Sequence, residues 1–333
     1  MRILVTGGAG FIASHVADAY LAAGHEVAVV DDLSTGFREN LDPRVRFRQV
    51  DVRSADLPAV LADFRPDVIS HHAAQMSVSV SARDPRHDAD INILGTLNLL
   101  EAAVRHDVRR VIFASTGGAV YGDSVSVPTD ETAPPQPVSP YGVAKLAVER
   151  YLHAYRAMHG LRAVALRYGN VYGPRQSPHG EAGVVAIFSR AILEGQELTV
   201  NGDGGQTRDY VYVGDVVRAN MLATEIALGQ EFPIVNIGTR IETSVNDLVQ
   251  VFREIAGRPV TWRYGPPRPG EQRRSVLDCA LAKRVLGWEA ATDLRTGMTR
   301  TFEWFRSRHR DVSNVTRTMG GGMGPGQSEK VTE

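Results

Sequence analysis

The stretch Ile3-Leu4-Val5-Thr6-Gly7-Gly8-Ala9-Gly10-Phe11-Ile12-Ala13 decides the reading of this 333-residue chain. A short apolar run feeds a glycine-rich turn, and from Phe11 to Ala23 apolar positions recur at helical spacing, so the order is strand, loop, helix. In such a turn the backbone N–H groups and the helix dipole can face a pyrophosphate that side chains would otherwise block; Gly7, Gly10, Phe11 and Ile12 are the positions concerned. Ala13 stands where the fingerprint has its third small residue, for close packing of helix on strand. With 32 glycines in the chain, the turn taken alone reads equally well as an ordinary loop. Asp31 separates the two readings. It ends the next strand, 21 residues past Gly10, near the ~20 expected of a carboxylate that accepts hydrogen bonds from an adenosine ribose. A carboxylate there repels a 2′-phosphate, and Asp31-Asp32-Leu33-Ser34-Thr35-Gly36-Phe37 offers no Arg to bind one, so NAD is expected rather than NADP. The competing expectation is that Asp31-Asp32 only caps a turn.

Outward from this unit, Glu26–Val30, Val45–Val50, Asp67–Ser70 and Val111–Ala114 read as further strands, with helices such as Leu57–Asp63 and Asn92–His106 between them. The strands are nearly continuous runs of Val, Ile and Leu, which predicts a parallel sheet covered on both faces: the doubly wound α/β (Rossmann) class. Five prolines crowd residues 128–140 and exclude a central strand or a helix interior there. Ser139 and Pro140 are then placed to cap and open a helix over Tyr141–Met158. The expected division is a dinucleotide-binding domain over 1–170, a smaller loop-rich C-terminal substrate lobe over 171–310 with some segments returning to the first domain, and a disordered tail over 311–333.

Composition removes several classes. Lys+Arg 37 against Asp+Glu 38 gives a formal charge of -1, so no surplus exists to hold nucleic acid or an anionic membrane. The lone Cys279 cannot make an internal disulfide, and the ten His show no zinc-ligand spacing, so a reducing compartment and no metal are expected. No apolar stretch approaches the ~18 residues of a membrane helix. A cytoplasmic location is expected.

The chemistry lies further along the chain. Tyr141 and Lys145 are four residues apart on the expected helix, so both project from one face and reach one ligand. An ammonium beside a phenol, together with a positive nicotinamide ring, is expected to lower the phenol toward neutrality and make it a usable general base. Ser115-Thr116-Gly117-Gly118 follows the strand ending at Ala114 and supplies two hydroxyls to bond the reacting oxygen, although serine and threonine at a strand end also serve as turn-formers.

These residues resemble the extended short-chain dehydrogenase/reductases, and within them the bacterial UDP-glucose 4-epimerase group. The resemblance rests on T-G-G-A-G-F-I (Thr6 to Ile12), V-D-D-L-S-T-G (Val30 to Gly36), H-A-A-Q (His72 to Gln75), S-T-G-G-A-V-Y-G (Ser115 to Gly122), S-P-Y-G-V-A-K (Ser139 to Lys145), R-Y-G-N-V-Y-G-P (Arg167 to Pro174), G-D-G-G-Q-T-R-D-Y-V-Y-V-G-D (Gly202 to Asp215) and P-R-P-G-E (Pro267 to Glu271). It implies an isomerase that inverts C4 of a UDP-hexose through a 4-keto sugar, with NAD as resident cofactor and a homodimer built on the helices Asn92–His106 and Tyr141–Met158. It further implies that Asp31, Asp32, Ser34, Thr35 and Gly36 surround the adenosine ribose and that Asp51 and Val52 touch adenine. His72, Ala73, Ala74, Gln75, Asn92 and Tyr168 are to line the rest of the cofactor. Asn170, Arg208 and Arg268 are to hold the diphosphate, with Val245, Glu271 and the Thr199 backbone near uridine.

Three positions depart from the family pattern. Gly117 stands where many relatives have the catalytic serine, passing that role to Thr116. Asn201 replaces an aromatic that often stacks on uracil. Ser275 replaces a large gate residue of members restricted to unsubstituted hexoses, which admits UDP-N-acetylglucosamine or UDP-glucuronate as alternative substrates. A nucleotide-sugar 4,6-dehydratase begins with the same oxidation, but relatives of that type carry an acidic residue right after the Ser/Thr, where this chain has Gly117 and Gly118. A cofactor-binding module without turnover generally lacks the Tyr/Lys pair.

Overall fold

Ile3 to Thr6 are all buried, and four consecutive buried residues in a strand require cover on both faces of the sheet. That strand is β1 (Arg2–Thr6) of a computed structural model describing residues 1–122, 126–178, 183–227, 232–268 and 272–320, with 310–320 described as backbone only. After β1 come α1 (Phe11–Ala22), β2 (Glu26–Asp31), β3 (Arg46–Gln49), α2 (Leu57–Phe64), β4 (Val68–His71), α3 (Val78–Arg83), α4 (Pro85–Ala89), α5 (Thr96–Arg105), β5 (Arg110–Thr116), α6 (Gly117–Val120), α7 (Pro140–His159) and β6 (Arg162–Tyr168). The seven-stranded sheet runs β3, β2, β1, β4, β5, β6 and finally Ile234–Ile237, every pairing parallel. This is the doubly wound sheet expected from the sequence.

The pleat divides the core. Ile3, Val5, Val27, Val29, Val164 and Leu166 face a layer containing Val16, Tyr20, Val216 and Trp288. Leu4, Ala28, Val30 and Phe113 face the other way, onto Leu57, Leu61, Leu99, Val148 and Leu152. Each such large side chain contributes roughly 1.5–3 kcal/mol when fully buried.

Local chemistry fixes the helix that matters most. The Ser139 hydroxyl accepts the Gly142 N–H at 3.2 Å, and Pro140 fills the first turn of α7, where no backbone donor is needed. The α7 helix closes on Gly160 at φ 69°. Two details differ from the sequence expectation. The stretch predicted as one helix from Asn92 begins as a wide π-helical turn, Asp90–Gly95, before α5. And β5 runs on through Ser115 and Thr116 rather than stopping at Ala114.

The second half of the chain forms short pairings around its own core of Phe188, Ile192, Val200, Leu248, Phe252, Met298 and Phe302. Asn170–Tyr172 pairs with Tyr210–Tyr212, and Leu198–Asn201 with Trp262–Gly265. Thr207–Arg208 lies between Thr243–Ser244 and Arg274–Ser275. The expected tail is corrected over its first ten residues: the last helix, Leu294–Gly320, continues through 311–320. No glycine or proline interrupts Met298 to Met319, and the first Gly run begins only at Gly320. Residues 321–333 of that expectation lie outside the described residues.

Candidate active site

The strand order reverses between β1 and β4, and the carboxyl ends of these strands open a crevice where open α/β sheets bind ligands. Gly7 begins its floor. Its φ is +67°, and a Cβ there would stand 2.7 Å from the Ala73 amide nitrogen, so glycine is required on both counts. Thr6 Oγ1 accepts the N–H groups of His72 and Ala73, each at 3.2 Å, which pins the β4 exit beside the glycine turn. Gly10 is the extended residue before α1, and no side chain caps this helix start, so the amides around half-buried Phe11 and Ile12 remain aimed at an anion.

Asp31 is buried, and its carboxylate accepts Ala9 N at 2.9 Å and Leu33 N at 2.8 Å. Burial raises its carboxyl, and these two bonds oppose the rise. Asp32 is exposed and caps the turn through Ser34 N and Oγ at 2.9 and 2.7 Å. The turn is capped, and the same bonds fix the Asp31 carboxylate beside the glycine turn. Gly36 packs on Ala9, and Ser34 and Thr35 are exposed. Asp51, held below the usual carboxylate range by Arg53, follows β3 with Val52, whose carbonyl accepts from Asn98 at 2.8 Å. Gln75 and Asn92 are locked to each other: Gln75 N donates to Asn92 Oδ1 at 3.0 Å, and Asn92 Nδ2 donates to Gln75 O at 2.9 Å. A glycine cradle that a Cβ would fill, an uncapped helix start and a fixed carboxylate 21 residues on together fit a dinucleotide.

Two residues expected at the cofactor have side chains engaged within the protein. The His72 ring turns to Ser70 Oγ at 2.9 Å, and burial pushes it down to about 3, so it stays neutral. Tyr168 is buried, and its hydroxyl is bonded to Asn220. Ala74 follows Ala73 on the same exit, half-buried.

Tyr141 and Lys145 occupy the first turns of α7. The Lys145 Nζ donates to Ala114 O at 3.0 Å and stands 4.8 Å from the Phe113 ring centre and 5.8 Å from that of Tyr141. Desolvation pushes Lys145 down to about 8, against the pull of Asp88 and Glu149. Without the nicotinamide ring on which the expected lowering of Tyr141 depends, burial pushes the phenol up, and the Asp88 carboxylate pushes it further.

The two hydroxyls of β5 separate. Ser115 Oγ donates to Glu149 Oε1 at 2.7 Å, into a buried pair in which Arg167 binds both oxygens of Glu149 at 2.9 and 2.6 Å. Ser115 is thus turned away from Tyr141. Thr116 Oγ1 accepts Ala119 N at 3.2 Å and keeps its own proton to donate. A Cβ built on Gly118 would lie 4.0 Å from Thr116 Oγ1 and 3.9 Å from Asn170 Oδ1, so these groups share one space. At Gly117, a Cβ would stand 2.6 Å from two methyls of buried Leu277, so a serine there would displace Leu277.

Across the crevice, Thr199 and Asn201 lie on one face of their strand, and Ser275 is in register with Arg208. Val245 is buried at a helix start capped by Ser244 and Asp247, and Arg268 is exposed. Glu271 lies outside the described residues. The sequence reading missed Asp88 and Thr6. The four-residue spacing from Asp88 to Asn92 was the signal available for the first; no local signal marks the second. Among the described residues no group of three His, Cys, Asp or Glu could hold a metal ion, and no helix is long and apolar enough to cross a membrane.

A doubly wound sheet with this crevice and a Tyr/Lys pair at its strand ends defines a dinucleotide-dependent enzyme. Residues 3–238 match the NAD dependent epimerase/dehydratase family, and the chain belongs to that family. It is 47% identical over 314 residues to a UDP-glucose 4-epimerase of Mycolicibacterium smegmatis, covering 92% of this chain and 99% of the relative. A crystal structure of UDP-glucose 4-epimerase with UDP-glucose from Thermotoga maritima superposes with a TM-score of 0.89 at 48% identity, covering 92% of this chain and 99% of that one. The Thermus thermophilus UDP-glucose 4-epimerase complex with NAD gives 0.86 at 47%, over 92% of this chain and 99% of that one.

Proposed function

We propose that this chain is an NAD-dependent UDP-glucose 4-epimerase, inverting C4 of a UDP-hexose through a transient 4-keto sugar. The observation that carries the proposal is the Tyr141 and Lys145 pair on the first turns of α7, with Lys145 bonded to the Ala114 carbonyl of β5, the strand that also carries Thr116. The naming of relatives at 47% and 48% identity over nearly their whole length supports it.

Gly7, Gly10, Phe11 and Ile12 would hold the cofactor pyrophosphate, Asp31 its adenosine ribose, and Asn92 and Lys145 its nicotinamide half. When bound, NAD supplies the acceptor and then the donor of the C4 hydride, so no net redox change occurs. Tyr141 removes the proton of the C4 hydroxyl, and Thr116 donates a hydrogen bond to the same oxygen. An ammonium at Lys145 beside the phenol, together with the positive ring of NAD when bound, would favour the phenolate. Asn170, Arg208 and Arg268 grip the diphosphate, for which guanidinium forks are suited. A hexose held chiefly by this handle is free to turn and present its other face, and Tyr141 then returns the proton. On this reading residues 171–310 mainly serve the UDP-sugar.

Two further elements belong to the proposal. A homodimer is supported by exposed Leu94 at the entry to α5 and by exposed Val143, Tyr151 and Met158 on α7. A cytoplasmic setting is supported by the single, buried thiol of Cys279. A second substrate reading, UDP-N-acetylglucosamine or UDP-glucuronate, is favoured by the small Ser275 beside Arg208.

Incubation with UDP-glucose, UDP-N-acetylglucosamine and UDP-glucuronate separately, followed by NMR of the products, tests the proposal. The expected result is C4 inversion of UDP-glucose, lowered about 10²–10⁴-fold by Tyr141→Phe. Loss of water from any of the sugars would replace epimerisation with dehydration.

A further inference from the structure

Asp88 has no part in the reading above, yet it is 1% exposed in α4, which packs against α7. Its Oδ1 accepts Gln75 Nε2 at 2.8 Å and Asn92 Nδ2 at 2.9 Å, while Oδ2 is buried with no hydrogen-bond partner. Burying a carboxylate oxygen without a donor is costly, and such a group persists where a nearby cation answers it. Burial pushes its carboxyl up, while the bonds from Gln75 and Asn92 and the charge of Lys145 on α7 oppose the rise.

We propose that Asp88 is a positioning residue for the Tyr141–Lys145 pair, a fixed counter-charge that keeps Lys145 an ammonium. The inference rests on the proposed use of that pair. Among the other groups facing Lys145, Glu149 on α7 is committed to Arg167 through both its oxygens. His71 and His72 on β4 are held neutral by burial, and Tyr141 lies on the same helix. Asp88 is therefore the carboxylate whose charge is not already answered. It opposes the desolvation of Lys145 and raises Tyr141. Neutralising it should move both groups to lower pH, whereas loss of a merely structural contact would move neither.

The chain has three lysines, Lys145, Lys283 and Lys330, so full-length protein labelled with [ε-13C]lysine gives a titration that can be assigned with Lys145→Met. The Lys145 midpoint is expected near 8 in the parent chain, lower by about one pH unit in Asp88→Asn and restored in Asp88→Glu. Both limbs of the pH profile of kcat/KM should move in the same direction in Asp88→Asn. An unchanged Lys145 midpoint overturns the proposal. Should Asp88→Asn fail to fold, the parent decides alone: its Lys145 resonance must show a second inflection as Asp88 is protonated, and a single-step titration overturns the proposal. These titrations need no sugar nucleotide, so their failure is distinct from failure of the product assay.

Discussion

Lys145 is 4% exposed, and its ammonium is served by the Ala114 carbonyl and the aromatic faces of Phe113 and Tyr141. Moving its midpoint from 10.5 to about 8 corresponds to about 3 kcal/mol against the folded state wherever the lysine is charged in both states. That penalty is complete below pH 8. It fades as pH rises toward 10.5, because the unfolded chain then holds the extra proton. Lys145→Met is therefore expected to abolish turnover yet to raise the urea midpoint at pH 7, with the gain shrinking toward pH 10; a lower midpoint at pH 7 would refute this. Spacing alone revealed the Tyr141/Lys145 pair, because four residues on a helix fix a shared face. The family departure at Gly117 already passed the hydroxyl role to Thr116, but the bond that engages Ser115 was not legible, since its partner, Glu149, is 34 positions distant. Thr6 was hidden for the same reason, its partners lying 66 and 67 positions away.

The glycine turn and α1 act as one element. Its sequence signature was legible because positive φ and close backbone approach demand glycine, and both are found at Gly7. Gly7→Ala places a methyl carbon against the Ala73 backbone in a left-handed conformation. It should destabilise the chain by at least about 1 kcal/mol and release bound nucleotide, read as the absorbance of cofactor retained through gel filtration. Full retention would remove the turn from the pyrophosphate site. The helix α7 was legible from Ser139 and Pro140. The π-helical turn at Asp90–Gly95 was not, because it depends on Asn92 being held at once by Gln75 and Asp88.

For the whole molecule, the doubly wound class followed from uninterrupted Val/Ile/Leu strands, whereas the loop-rich second half followed no periodic pattern, being built from pairings of two to four residues. Val143, Tyr151 and Met158 recur at eight and seven positions along α7, forming an exposed apolar stripe. A cavity of about 500 Å³ beside Val143 is lined by Pro85, Ile93 and Val138. Val143→Asp should halve the sedimenting mass from roughly twice 36.3 kDa; an unchanged mass would move the dimer contact elsewhere.

The seventh strand, Ile234–Ile237, is borrowed from beyond residue 230 to seal the open flank of β6. A fragment ending at Gly169 would leave Ala165 to Tyr168 with bare amides and carbonyls, a template for stacking chain upon chain. A ribosome must likewise deliver about seventy further residues, from Gly169 to Ile237, before the sheet is closed. The two halves are thus bound to a common fate in synthesis, and neither can be traded between enzymes by a simple cut.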